Sequence, residues 1–312
     1  MNLLSYRHQG LREFPEEIRQ TPNITNLNLS DNQIERIPAW IATLKNLQVL
    51  YLNNNQITNI DKLCALPHLE VLQLNNNQIS RIPESIRGLT NLKRLYINNN
   101  LLVEVPTALG ELTQLNQLLL AKNQLIDLPD TIGKLINLTS LNLFDNRLEQ
   151  LPDTIGNLTQ LTYLQLGFNC LVRLPHTLEC LQALTHLEVF SNQLHTLPGL
   201  AHLQNLKKLN VGDNYLSCIE QLPTSLTEVS IYHNPLKAID SGLTSYIENK
   251  GDNKFEYLYV DTQQVQRLNI DPQVLGKTLK VVDLANKKAS ALDLNYMPME
   301  LRQKWQIIGE WT

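Results

Sequence analysis

Seven histidines and four cysteines are the side chains of this 312-residue sequence best able to hold a metal or act as a nucleophile. His8, His68, His176, His186, His195, His202 and His233 match no metal-ligand spacing, among themselves or with cysteine. Cys64, Cys170, Cys180 and Cys218 are widely spread and form no paired framework, so free thiols in a reducing compartment are expected. There is no glycine-rich phosphate loop and no nucleophile elbow. The expectation is no enzyme, no cofactor and no metal.

Binding chemistry is better represented. Tyr96, Phe144, Tyr163, Phe168, His186, Phe190 and Tyr232 fall at corresponding places of a repeating pattern. Exposed aromatics are enriched at the energetic centres of protein interfaces. These seven are the candidate partner-binding residues, with Lys122 and Asp145 at one polar edge and Asp213 and His233 at the other. On this reading Phe144→Ala or Phe190→Ala weakens partner binding by about 1–3 kcal/mol and barely changes the melting temperature. The alternative is that the rings lean over and pack on the structure itself.

The elements that must position these residues are set by a column of asparagines. Asn32, Asn55, Asn77, Asn100, Asn123, Asn146, Asn169, Asn192, Asn214 and Asn234 are separated by 23, 22, 23, 23, 23, 23, 23, 22 and 20 residues. Each closes the phrase Leu-x-x-Leu-x-Leu-x-x-Asn-x-Leu, plain in Leu138 to Leu148. A fixed period of this size predicts a solenoid. The alternation Leu-x-Leu predicts a short strand with one apolar face and one free face. Asparagine can both donate to and accept from backbone groups of neighbouring turns, so a stacked column can satisfy buried polar groups. Pro38, Pro83, Pro106, Pro129, Pro152, Pro175 and Pro198 follow six residues after the asparagine. That place suits the first position of a short helical turn, where the missing N–H costs nothing. Asp61 stands where the third repeat would have its proline, and Pro198-Gly199 shortens the ninth.

The phrase resembles the leucine-rich repeat. Leu128-Pro-Asp-Thr-Ile-Gly-Lys-Leu135 and Leu151-Pro-Asp-Thr-Ile-Gly-Asn-Leu158 are similar to the 23-residue class of intracellular Ras-interacting scaffolds and many bacterial proteins. Leu222-Pro-Thr-Ser-Leu226 resembles the shorter repeat of bacterial type III effectors, the IpaH-type ubiquitin ligases and the ligase-free YopM-like proteins. The resemblance implies an α/β solenoid, a horseshoe with a parallel concave β-sheet. In the ligase family a catalytic domain of a few hundred residues with a nucleophilic cysteine follows the repeats. Here about 70 residues follow and none after Cys218 is cysteine, so ligase activity is not expected.

Three segments are expected: a degenerate capping repeat over 1–22, repeats over 23–243, and a small mixed C-terminal cap over 244–312. Between Asn214 and Asn234 the shorter period leaves room for extended structure only. In the cap, Phe255 to Val260 reads as a strand, Met299 to Trp305 as a short amphipathic helix and Asn249 to Lys254 as a loop.

A formal charge of −4 and a pI near 6.0 are too mild to suggest nucleic acid or an anionic membrane. No apolar run reaches the roughly 18 residues of a membrane span. The N-terminal stretch lacks the regions of a signal peptide. The expected function is a monomeric, non-enzymatic module that binds a protein partner on its concave face. It would be cytoplasmic, or an effector secreted into a host cell without a cleavable signal. The competing readings are an enzyme or adaptor activity within the last 70 residues and a purely structural repeat protein.

Overall fold

The asparagine period becomes a stack of parallel strands in the computed structural model, which describes residues 3–220, 222–239, 257–260 and 280–283. Among these, thirteen strands form one sheet in strict chain order. It starts with Leu3–Ser5, Asn26–Asn28 and Val49–Tyr51 and ends with Glu228–Ser230, Tyr257–Val260 and Lys280–Asp283. Every pairing is parallel and in register, as Leu141 beside Leu164 and Leu164 beside Leu187 illustrate. In nearly all of the three-residue strands the middle residue is buried, and in several, such as Val49–Tyr51, Ser140–Asn142 and His186–Glu188, both neighbours are half-buried, as the alternation of a strand demands. Leu27, Leu50, Leu72, Leu118 and Leu141 thus stack into one continuous core.

The asparagine column works as a two-way ladder. The side-chain oxygen of Asn146 accepts the N–H of Leu125 in the preceding turn at 3.0 Å. Its amide donates to the carbonyls of Leu120 and Leu143, both at 3.0 Å, and of Phe144 at 3.3 Å. Asn32 opens the column by accepting from Gln9 and Leu11, and Asn234 donates to Val211 and Ile231 at its other end. All ten asparagines are buried. The residue before each one is left-handed, with φ between 51° and 60°.

On the outer side, eight of the described turns carry a five-residue 3-10 helix, seven behind a proline and one behind Ile60. The prolines stand one place earlier than expected. Pro129 is extended (φ −69°, ψ 149°), and its carbonyl accepts the N–H of Ile132 at 2.9 Å. The ring therefore fixes the approach to the helix and not its first residue. Where Asp61 replaces proline, the side chain of Asn59 accepts the Asp61 N–H at 2.8 Å and supplies the turn instead. The ninth turn, with Pro198-Gly199, has no such helix.

Adjacent helices approach through Asp-Thr-Ile-Gly. Thr154 donates its hydroxyl to the Asp130 carbonyl at 2.8 Å, and the Thr154 carbonyl lies over Gly133. A Cβ at Gly133 would meet that carbonyl oxygen at 2.5 Å. Gly133→Ala is expected to destabilise the protein by about 1–3 kcal/mol by forcing two turns apart. Denaturant titration checks this, and wild-type stability would contradict it.

At the C-terminal end, extended structure does replace the helix. Cys218–Ile219 pairs with Ala238–Ile239 in a separate parallel sheet. Among the described residues the ladder of asparagines ends at Asn234, and the sheet continues through 257–260 and 280–283. The expected loop Asn249 to Lys254 and the helix Met299 to Trp305 lie outside the described residues. All four cysteines are free thiols. Cys64 is buried, which pushes its thiol upward.

Candidate binding face

Three columns of side chains run along the free face of the sheet. Two come from the flanks of each strand, and the third from the residue after the second core leucine. The third column has an unusual donor to satisfy, the backbone N–H at that place. In the early turns the preceding turn's asparagine does it: Asn75 accepts the Asn98 N–H at 2.9 Å and Asn98 accepts the Ala121 N–H at 2.7 Å. In later turns the strand's own amide folds over. Asn142 accepts from Phe144 at 3.0 Å and Gln165 from Gly167 at 2.8 Å. The later arrangement needs no third-column side chain, which frees that column to carry rings.

The rings fill that freedom. From Ala121 the column reads Phe144, Gly167, Phe190, Gly212, Tyr232: large residues alternate with glycine. A Cβ at Gly167 would lie 2.6 Å from Cε1 of Phe190, and one at Gly212 would lie 2.2 Å from Cε1 of Tyr232. Each ring therefore lies flat over the glycine of the turn before it. Phe190 is 0% exposed, Tyr232 4% and Phe144 6%. This corrects the expectation that these three rings stand in solvent. Phe144 and Phe190 form a satellite core with Ala121, so truncating either must change the stability. The sequence signal was the large-small alternation.

Phe168 is different. It is half-buried and packs edge-on against Phe144 (5.4 Å, 76°) and Phe190 (5.4 Å, 87°). Its φ is 55°, a left-handed conformation that bulky residues rarely take. Tyr163 and His186 are half-buried neighbours on adjacent strands, their rings 6.0 Å apart. The Thr185 hydroxyl lies 2.8 Å from His186 Nδ1. Tyr96 stands apart from these rings, and its hydroxyl is tied to Gln117.

Beyond the rings the face turns polar and charged. The register places His186, Lys208 and Glu228 side by side in one column, and Glu188, Asn210, Ser230 and Tyr259 in the next. Lys208 pairs with Glu228 at 2.8 Å. Burial, and then Lys208, hold His186 below its ordinary value. Burial raises the phenols of Tyr232 and Tyr259, with Asp213 next for Tyr232 and Glu228 next for Tyr259. The buried hydroxyl of Tyr232 has no hydrogen-bond partner among the described residues.

These phenols set an alkaline limit. A tyrosine raised in the folded state adds stability that is complete below the unfolded value, about 10, and lost as pH climbs above it. Tyr232→Phe removes an unsatisfied hydroxyl and is expected to stabilise by about 1–2 kcal/mol at neutral pH. The gain should grow above pH 10. Unfolding titrations at pH 7 and pH 11 check both points.

Among the described residues no group of three or more His, Cys, Asp or Glu could hold a metal ion. No described helix is long and apolar enough to cross a membrane.

Comparison with known proteins agrees with this geometry. A family described as "Leucine-rich repeat region" matches residues 109–305. Two further repeat families, "Leucine Rich repeats (2 copies)" and "Leucine rich repeat", match 22–65 and 45–125 in overlapping segments. The receptor-like protein 32 of Arabidopsis thaliana is 39% identical over 54 residues, 17% of this chain and 6% of its own length. The ectodomain of the Arabidopsis membrane receptor kinase GASSHO1/SCHENGEN3, solved with CASPARIAN STRIP INTEGRITY FACTOR 2, is 28% identical with a TM-score of 0.66. That likeness covers 80% of this chain and 32% of the receptor. The plant peptide hormone receptor RGFR1, solved with RGF2, shares the fold at a TM-score of 0.71 and 24% identity, over 87% of this chain and 49% of that one. An internalin of Listeria monocytogenes is 25% identical with a TM-score of 0.52, over 77% and 82% of the two chains. The chain thus spans less than half of the plant proteins it matches. Such solenoids are in general non-enzymatic scaffolds typical of protein–protein interaction. With the asparagine ladder, the in-register parallel strands and a family match over more than half its length, this chain belongs to the leucine-rich repeat proteins.

Proposed function

We propose that this chain binds a protein or peptide partner on its concave face, with Phe168 as the anchor and Tyr163 and His186 beside it. The carrying observation is the left-handed φ of Phe168, 55°. The same place in other turns holds Asp, Asn, Lys, Ser or His. Several of these tolerate that conformation far better than phenylalanine. Backbone strain of about 1–3 kcal/mol persists where the surroundings enforce it, and it clusters at ligand-binding sites. Here the repeat imposes the φ, as in every other turn, and Phe144 and Phe190 pack the ring from two sides. Phe144, Phe190 and Tyr232 enter the proposal as the floor beneath the partner, and Tyr96 as an outlying contact. That two plant receptors of this fold were solved in complex with a partner, RGF2 in one and CASPARIAN STRIP INTEGRITY FACTOR 2 in the other, supports the reading.

The test is quantitative affinity capture with wild type, Phe168→Asn and the distant Ile136→Asn. Phe168→Asn is expected to keep or raise thermal stability and to lose a captured protein at least tenfold. Ile136→Asn should retain it. Equal capture by all three would overturn the proposal. The narrower role of a secreted bacterial effector rests on the phrase Leu222 to Leu226 alone.

A further inference from the structure

We propose that the amides of Asn75, Asn76, Asn98 and Asn99, flanked by Arg94 and Lys122, form a site for an acidic peptide segment of the partner. This deepens the concave-face reading and rests on it for the protein nature of the ligand. The backbone fixes how these amides point. Asn53, Asn75 and Asn98 accept the N–H groups of Asn75, Asn98 and Ala121, so each turns its oxygen inward. The NH2 group of each then points away from that bond. Asn53 donates its own to Gln73 at 2.7 Å. Those of Asn75 and Asn98, both half-buried residues, meet no protein acceptor among the described residues. In the neighbouring exposed column Asp31 sets the direction, because a carboxylate can only accept. Asn54 donates to Asp31, Asn76 to Asn54, and Asn99 to Asn76 at 2.7 Å. Each of these NH2 groups keeps a second N–H. Apart from the Asn99 oxygen, which ends the run, the oxygens are engaged within the protein and the N–H donors are left over.

The charges here have the same sense as the donors. Arg94 is exposed on the sheet face, in register with Val71 on one side and Gln117 on the other, both uncharged. Lys122 is exposed and follows Asn99 in the left-handed column. Neither cation forms an ion pair among the described residues. Asp31, at the far end of the run, is engaged by Arg7 as well as by Asn54. Asp145 follows Lys122 in the same column, on the side away from the amides. A carboxylate accepts without donating, and its charge-assisted bonds are roughly twice as strong as neutral ones. A cationic side chain would meet donors and like charge instead. Adjacent strands stand about 4.8 Å apart, so successive acidic side chains of one extended peptide can reach successive turns. Tyr96, half-buried between Arg94 and Asn98, presents a ring to the aliphatic part of such side chains.

The experiment titrates the full chain with acetyl-Glu-Gly-Glu-Gly-Glu-amide and with its Gln and Lys counterparts at constant ionic strength. Binding is read from the side-chain amide NMR signals of Asn75 and Asn98. Wild type is expected to bind the Glu peptide at least fivefold more tightly than the Gln peptide, and not to saturate with the Lys peptide. Asn98→Asp keeps an acceptor for the Ala121 N–H and replaces the unused donor by a negative oxygen. It should weaken the Glu peptide at least tenfold. Arg94→Gln and Lys122→Gln, both at exposed positions, should each weaken it at least threefold, and they keep the test decisive if Asn98→Asp fails to fold. No preference for the Glu over the Gln peptide, or unchanged affinity in both Arg94→Gln and Lys122→Gln, would overturn the site. Glutarate binding as tightly as the Glu peptide would overturn the assignment to a peptide. The titration needs neither the captured partner nor Phe168, so its failure leaves the Phe168 anchor standing. Equal capture by all three proteins of the earlier test, with the Glu preference intact, would overturn that anchor alone.

Discussion

Phe190→Ala is expected to lower the unfolding free energy by about 3–5 kcal/mol, the range for a buried phenylalanine whose cavity cannot collapse. The ring is 0% exposed, wedged between Phe144 and Phe168 above Gly167. Below it the sheet is held in register by backbone bonds, so the walls have little room to close. The glycine sharpens the test. Gly167→Ala alone should destabilise, because its Cβ would meet Phe190 at 2.6 Å. In the double variant the new methyl occupies part of the vacated space. The double variant should therefore be more stable than the sum of the two losses predicts, by about 1–2 kcal/mol of coupling. Additive losses would show that the ring does not rest on Gly167.

Asn146→Ala is the second large effect, an expected loss of about 2–4 kcal/mol. The substitution does not harm all its partners equally. The Leu120 carbonyl keeps a second donor in Asn123, at 2.9 Å, and the Leu143 carbonyl keeps Asn169, at 3.0 Å. The Leu125 N–H has no such reserve, since Asn146 is the acceptor given to it, at 3.0 Å. Most of the cost therefore comes from one orphaned buried donor, with a smaller part from weakened carbonyls. Asn146→Asp separates the two. Its oxygen still accepts from Leu125, but a buried carboxylate then faces three carbonyls. Such a group has a raised folded-state value, so the variant should regain stability as pH falls toward protonation. A variant indifferent to pH would mean that solvent reaches the ladder.

The regular part of the molecule was legible because its physics is local and periodic. The Leu-x-Leu alternation and the asparagine interval each fix one contact, and repetition fixes the stack. Extended structure after Asn214 followed from a period too short for a helix. What misled was the third column, where residue type alone pointed outward. Phe190 and Tyr232 are turned inward by glycines one repeat away, at Gly167 and Gly212. That information lies in the column read vertically and is invisible within a single phrase. The proline offset has a similar origin. The ring suits either the approach to a helix or its first residue, and only the backbone of Pro129 distinguishes them. The strand at 257–260 was legible in the run Phe255 to Val260, although Gln263 stands where its register would place a ladder asparagine.

The central claim, that the partner sits on the sheet face at Phe168, is tested most directly by site-specific photo-crosslinking. A benzoylphenylalanine is placed at position 168 in one chain and at position 136 in another. Position 136 lies between the helix Asp130–Lys134 and the strand Ser140–Asn142, away from the sheet face. Labelling of one discrete protein from position 168 and none from position 136 is the expected result. Labelling from 136 with silence at 168 would place the binding surface elsewhere and contradict the account.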